Sequence, residues 1–175
     1  MNDIPISVLF GIIAGLLVCS AFFSSSETAL MSLNRYRLRH RARSGSRAAR
    51  MAESLLEQPE RLIGLILLGN NVVNILAASL VGIISQRLGG SAAFAIANSV
   101  LTLVVLIFAE VAPKTLAALN PERVAMPAVY VYYPTLKVLW PLVMLVNLMA
   151  NTVLRIFGVS PREVDGHALS HEELR

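Results

Sequence analysis

Cysteine is almost absent: Cys19 is the only one in 175 residues. No disulfide can form within one chain, and no thiolate cluster can hold a metal. Val18 is too large for the position before a lipoprotein cysteine, and no basic stretch precedes it. Cys19 therefore reads as a small buried apolar residue. Charge is scarce too, at 15% of residues, where a soluble domain carries about 25%. Histidine is missing from every long apolar run, because His40, His167 and His171 all lie elsewhere. That excludes a zinc or copper site built on imidazole inside those runs. Acidic residues are missing between positions 35 and 50, where seven arginines (35, 37, 39, 41, 43, 47 and 50) stand unopposed.

What the chain does have is hydrocarbon. Hydrophobic residues make up 55%, and mean hydropathy is +0.65. Residues 4–26, 62–86 and 88–109 hold no charged side chain. A helix crosses the bilayer core with roughly 20 apolar residues, so three transmembrane helices are expected, at about 4–26, 62–86 and 88–110. Such a chain needs no water-excluded core, because lipid can solvate its outer faces.

The arginines set the orientation. Basic short loops stay in the cytoplasm, so the segment 35–61 should lie inside and the N-terminus, with Asp3 and no Lys or Arg, outside. Span three then ends inside, near Glu110 and Lys114. Arg35, Arg39, Arg43 and Arg47 recur every four residues, so one helix would stack them on one face. That face is expected on anionic headgroups; beside a membrane span, no nucleic-acid partner is expected.

Residues 124–154 form a fourth apolar region, interrupted by Lys137 and by Pro127, Pro134 and Pro141. Either it crosses the membrane again or it forms a proline-broken juxtamembrane belt that keeps the C-terminus inside. The proline rhythm favours the belt, with Tyr130, Tyr132, Tyr133 and Trp140 at interfacial depth. The polar tail, with Ser170 and Glu173 in a capping-box pattern, reads as a linker over 160–175. The chain is therefore expected to be a fragment cut before a soluble domain.

Oxygen-bearing residues sit at the ends of the apolar runs. Run one ends in Ser24, Ser25, Ser26 and Glu27; run two carries Gly69, Asn70, Asn71 and Asn74; run three ends in Ala109, Glu110 and Pro113, followed by Lys114. Pro113 cannot donate to the carbonyl of Ala109, four residues back, and its ring crowds that group. Gly69 permits close backbone approach. Hydroxyl, amide, carbonyl and carboxylate oxygens suit hard cations: Mg2+, Ca2+ or Na+. A carboxylate at membrane depth is a functional candidate in its own right, which singles out Glu110. Ser26, Glu27, Gly69, Asn71, Pro113 and Lys114 suit supporting or gating roles. For any one serine or asparagine, hydrogen bonding between helices is an equally good account.

The stretches FFSSSETALMSLNR, LIGLILLGNNVVN and FAEVAPKTLAALNPERVA, in that order, resemble the transmembrane domain of the CorC / cyclin M (CNNM) family of magnesium transporters, over about residues 6–159. The resemblance implies an all-α homodimer with three spans and a juxtamembrane belt in each protomer. It also implies Na+-dependent Mg2+ export, with dehydrated Mg2+ held by serine, asparagine, glutamate and carbonyl oxygens. Carried onto this sequence, the ligands are Ser24, Ser25, Asn70, Asn74 and Glu110, with the Ala109 carbonyl beside them. Family members continue into nucleotide-binding domains that this sequence lacks. Two other readings compete. One is a membrane sensor that binds Mg2+ without moving it. The other is an intramembrane hydrolase using Ser24 or Ser25, for which no base is in view. No enzymatic activity is expected.

Overall fold

A computed structural model describes residues 5–139 and, beyond them, 141, 144, 145, 148, 149 and 152, side chains at 90 and 91 excepted. Trp140, the tail with its capping box, and most of the region after 139 lie outside the described residues. So does the choice between a fourth crossing and a belt there.

The described chain is all helical, without a strand. Helix α1 spans Ile6–Met31 and α4 spans Pro59–Leu88; the third long helix is built from α5 (Gly90–Val104), a π-helical segment (Val105–Val111) and α6 (Ala112–Leu119). Among the described residues, three helices are long and apolar enough to cross a membrane: Ile6–Met31, Pro59–Leu88 and Ala92–Leu119. At about 1.5 Å per residue each exceeds a hydrocarbon core of about 30 Å, so each extends past it or tilts. The third span does not stop at Glu110. It runs on through Pro113, because the π segment just before the proline widens the turn the ring would otherwise crowd.

The arginine-rich segment is two helices rather than one. Helix α2 (Arg35–Arg43) is capped by the Asn34 side chain, which accepts from the amides of Tyr36 and Arg37. Helix α3 (Arg47–Leu56) is capped by Ser46, which accepts from the Ala49 amide. Between them Gly45 adopts φ +95°, a left-handed conformation that ends α2. Arg47 therefore does not continue the face of Arg35, Arg39 and Arg43.

Helix α7 (Pro121–Val138) passes through Pro127 and Pro134 without ending, so the belt is one unbroken helix as far as Val138. Tyr132 faces protein rather than lipid headgroups: it is 1% exposed and stacks on Phe22 at 5.7 Å. Side chains of α1, α2, α3, α4, α6 and α7 share one core, which includes Leu30, Leu38, Leu55, Leu62, Ile66 and Val129. That core sits at the arginine-rich end. A smaller cluster of Leu9, Ile13, Ile84 and Leu101 joins the spans near their other end. Elsewhere the spans turn apolar side chains outward, Ile75, Ile96 and Phe108 among them, as lipid solvation allows. Cys19 is likewise exposed rather than buried. In a bilayer the outer face of α1 needs no protein cover.

Candidate ion site

Helix α1 presents serines on two faces. Ser20 and Ser24, four apart, share one. Ser26, two positions on, points across to α7. All three are fully buried. The Ser20 hydroxyl donates to Asn70 Oδ1 on α4 at 2.8 Å. One residue from Asn70, a Cβ placed on Gly69 would lie 2.6 Å from Cζ of Phe23. Glycine is what lets α4 approach the Phe23 ring so closely. These two contacts put α1 and α4 antiparallel, with Ser20 level with Asn70 and Phe23 level with Gly69.

That register locates the rest. Ser24 lies about one turn (~5.4 Å) from the Ser20–Asn70 pair towards the Glu27 end, and Asn74 about one turn away in the other direction. The third span runs parallel to α1. Lys114 Nζ stands 4.0 Å from Glu27 Oε2, and Leu101 packs in one cluster with Leu9 and Ile13. Counting back four residues from that ion pair brings Glu110 level with Phe23. Ala109 and Glu110 thus stand at the height between Ser20 and Ser24. Ala109 is fully buried and Glu110 half-buried, and α1 packs against the π segment. No hydrogen bond or ion pair to Glu110 occurs among the described residues.

The π segment shifts the backbone hydrogen-bond register beside Ala109. The Ala112 amide donates to Ile107, five residues back. Pro113 has no N–H, so it serves neither Phe108 in a five-residue register nor Ala109 in a four-residue one.

Among the described residues, two buried side-chain oxygens have no hydrogen-bond partner: Ser24 Oγ and Asn74 Oδ1. Orphaned polar atoms are uncommon inside proteins, and at membrane depth each costs several kcal/mol by order of magnitude. The other residues of the motifs are occupied or turned away. Ser25 donates to its own Phe22 carbonyl at 3.1 Å. The Ser26 hydroxyl is hydrogen-bonded both to the Phe22 carbonyl at 2.6 Å and to Tyr132 Oη at 2.5 Å. Asn71 is exposed. The serine and asparagine motifs therefore separate into oxygens held by the helices, such as Ser26 and Asn70, and oxygens left open, Ser24 and Asn74.

Ser20 escaped the sequence reading although its signal was available. It lies four residues before Ser24, inside the apolar stretch LLVCSAFF, on the same helical face. Among the described residues no three His, Cys, Asp or Glu side chains gather in a metal-holding group. Any cation here would rest on one carboxylate and neutral oxygens.

The sequence can now be set beside known proteins. The family model described as "Cyclin M transmembrane N-terminal domain" (CNNM) matches residues 11–175. The chain is 53% identical over 156 residues to the "UPF0053 inner membrane protein YfjD" of Escherichia coli, which covers 89% of the chain and 36% of that protein. It is 43% identical over 175 residues to a "UPF0053 protein" of Haemophilus influenzae, covering all of the chain and 41% of the relative. A more distant relative from Haemophilus influenzae, named "Polyamine export protein", is 29% identical over 167 residues, 88% of the chain and 39% of that protein. The chain thus spans well under half the length of these relatives.

Proposed function

The chain belongs to the cyclin M transmembrane (CNNM) family of membrane proteins, and from that premise we propose that it carries Mg2+ out of the cytoplasm in exchange for Na+. Mg2+ is the substrate. It enters from the arginine-rich end, which faces the cytoplasm, and sheds part of a tightly held water shell onto protein oxygens. The observation that carries the reading is the unpartnered, buried Ser24 hydroxyl one turn from Asn70, with Ala109 and the half-buried Glu110 carboxylate at a height between the two. A cation there would take the open Ser24 oxygen and the Glu110 carboxylate and share the second lone pair of Asn70 Oδ1. Asn74, a turn farther on, offers the next open oxygen along the same path. One carboxylate neutralises only half the charge of Mg2+, so release stays possible. Na+ drives the cycle only if it binds one conformation better than the other. The full-length protein acts as a homodimer in the inner membrane, with its N-terminus outside.

A relative named for polyamine export supports transport over sensing as the class of activity. It also supplies the rival cargo, since a polyamine is a string of cations that would seek the same carboxylate. Flux in vesicles holding the full-length protein decides. Mg2+ efflux that needs a Na+ gradient and disappears in Glu110→Ala is the expected result. Mg2+ binding without flux would make the protein a sensor. Glu110-dependent spermidine flux with no Mg2+ flux would transfer the site to polyamines.

A further inference from the structure

The fold sorts the seven arginines into two groups. Four are engaged within the protein. Arg35 donates to the Leu56 carbonyl at 2.8 Å. Arg37 and Arg41 both pair with Glu122 at the start of α7, at 3.7 and 2.7 Å. Arg39 faces Glu53 at 3.8 Å. Arg43, Arg47 and Arg50 have no acidic partner among the described residues. Of these three, Arg47 and Arg50 converge on a pocket of about 250 Å³ between α3 and α7, lined also by Met51, Ser54 and Tyr133.

We propose that this pocket binds the phosphate of an anionic phospholipid in the leaflet at the arginine-rich end. Its lining carries two positive charges and no acid. Arg47 and Arg50 are three apart, hence neighbours on one face of α3, and guanidinium forks match phosphate oxygens in pairs. Ser54 and Tyr133 add hydroxyl donors, and neither has a hydrogen-bond partner among the described residues.

The depth and the apolar flank favour a lipid over a free anion. Tyr132 Oη meets Ser26 Oγ, one residue before the charged Glu27. The neighbouring Tyr133 therefore stands where α1 leaves the apolar layer. Tyr130 and Tyr133, three apart and so neighbours on one face of α7, are both exposed, a surface for the upper acyl chain. Aromatic side chains at this depth favour the headgroup region, and basic pockets there recognise anionic headgroups. The inference stands apart from the ion site and does not depend on transport.

Full-length protein in detergent is titrated with dioctanoyl phosphatidylglycerol, with dioctanoyl phosphatidylcholine and with inorganic phosphate, and binding is read by microscale thermophoresis. Phosphatidylglycerol should bind in preference to the other two. Arg47→Gln with Arg50→Gln should weaken it about 30-fold, from the usual contribution of two basic groups. Arg43→Gln, equally exposed but outside the pocket, should leave it within about twofold. All three substitutions are on the surface, and matching melting temperatures will show that the fold is kept. Equal losses in Arg43→Gln and the double variant would reduce the effect to a general charge and overturn the site. So would undiminished binding by the double variant. Inorganic phosphate or phosphatidylcholine binding as tightly as phosphatidylglycerol would overturn the anionic-lipid assignment.

Discussion

The hydroxyl of Ser20 and the amide oxygen of Asn70 join the first two spans by a 2.8 Å hydrogen bond. It stands one turn from Ser24, whose own hydroxyl has no partner. The site therefore has one oxygen already engaged and one held open beside it. In Ser20→Ala, Asn70 loses its donor. A double-mutant cycle of Ser20→Ala with Asn70→Ala should return a coupling of about 0.5–1.7 kcal/mol, the span found for hydrogen bonds between helices in membranes. Thermal unfolding in detergent measures it. A coupling of zero would mean the pair is not formed in solution.

Ser24→Ala separates a packing role from an ion-binding one. The hydroxyl has no hydrogen-bond partner among the described residues, so its removal should leave the melting temperature without added ions unchanged or slightly higher. On the proposed Mg2+ site, saturating Mg2+ is expected to raise the melting temperature by preferential binding to the folded state, and the same substitution should abolish that rise. A variant that melts early without ions yet still responds fully to Mg2+ would return Ser24 to a structural role.

Tyr132 joins α7 to the first span and carries a titration signature. Burial, opposed by the Ser26 hydrogen bond and aided by the nearby Glu27 charge, pushes its phenol from 10.0 up to about 12. The stabilisation tied to this raised value is complete below pH 10 and is lost as pH climbs towards 12, because the unfolded chain ionises first. A tyrosinate absorbance step near pH 12 should be missing from Tyr132→Phe. That variant should also lose about 1 kcal/mol from the broken hydrogen bond, while its ring keeps the stack on Phe22.

Gly69→Ala tests the approach of α1 to α4. Its methyl would stand 2.6 Å from Phe23 Cζ, so the ring must move, at a cost of about 1–3 kcal/mol for overpacking. Trimming the obstacle in Phe23→Leu should make the same glycine substitution markedly cheaper. Equal costs in both backgrounds would place the strain elsewhere.

Gly45 is the hinge between α2 and α3. Its φ of +95° is one that a side chain resists, so Gly45→Ala should cost about 1–2 kcal/mol. The loss should appear as a lower melting temperature with Mg2+ response intact, because the hinge is remote from the ion site.

Much of the architecture was legible in the linear pattern. Stretches without charge and longer than 20 residues become helices in lipid whatever their neighbours, because each backbone group can be satisfied only within its own helix. The consequence of Pro113 was partly legible as well, since a missing N–H is a covalent fact. That the chain would answer with a π turn and continue to Leu119 was not, because the alternative, ending the helix, satisfies the same local rule. The arginine spacing pointed to one helix, and a single glycine with positive φ made two. Cys19 and Tyr132 exchanged their expected surroundings, since which face of a helix meets protein and which meets lipid depends on where the other helices stand.

By itself, then, the sequence determined the spans, the place of the basic segment and the supply of oxygen atoms available to a hard cation. Each of these follows from side-chain chemistry summed along one dimension. Only the tertiary structure decided which oxygens are used up and which stay open. It gave Ser20 to Asn70 and Ser26 to Tyr132, and left Ser24 and Asn74 without partners. It likewise gave four arginines partners within the protein and left Arg47 and Arg50 facing out. The physical reason is the same in both cases: a hydrogen bond or ion pair is a contest among groups brought together from distant parts of the chain, and only packing says who is within reach.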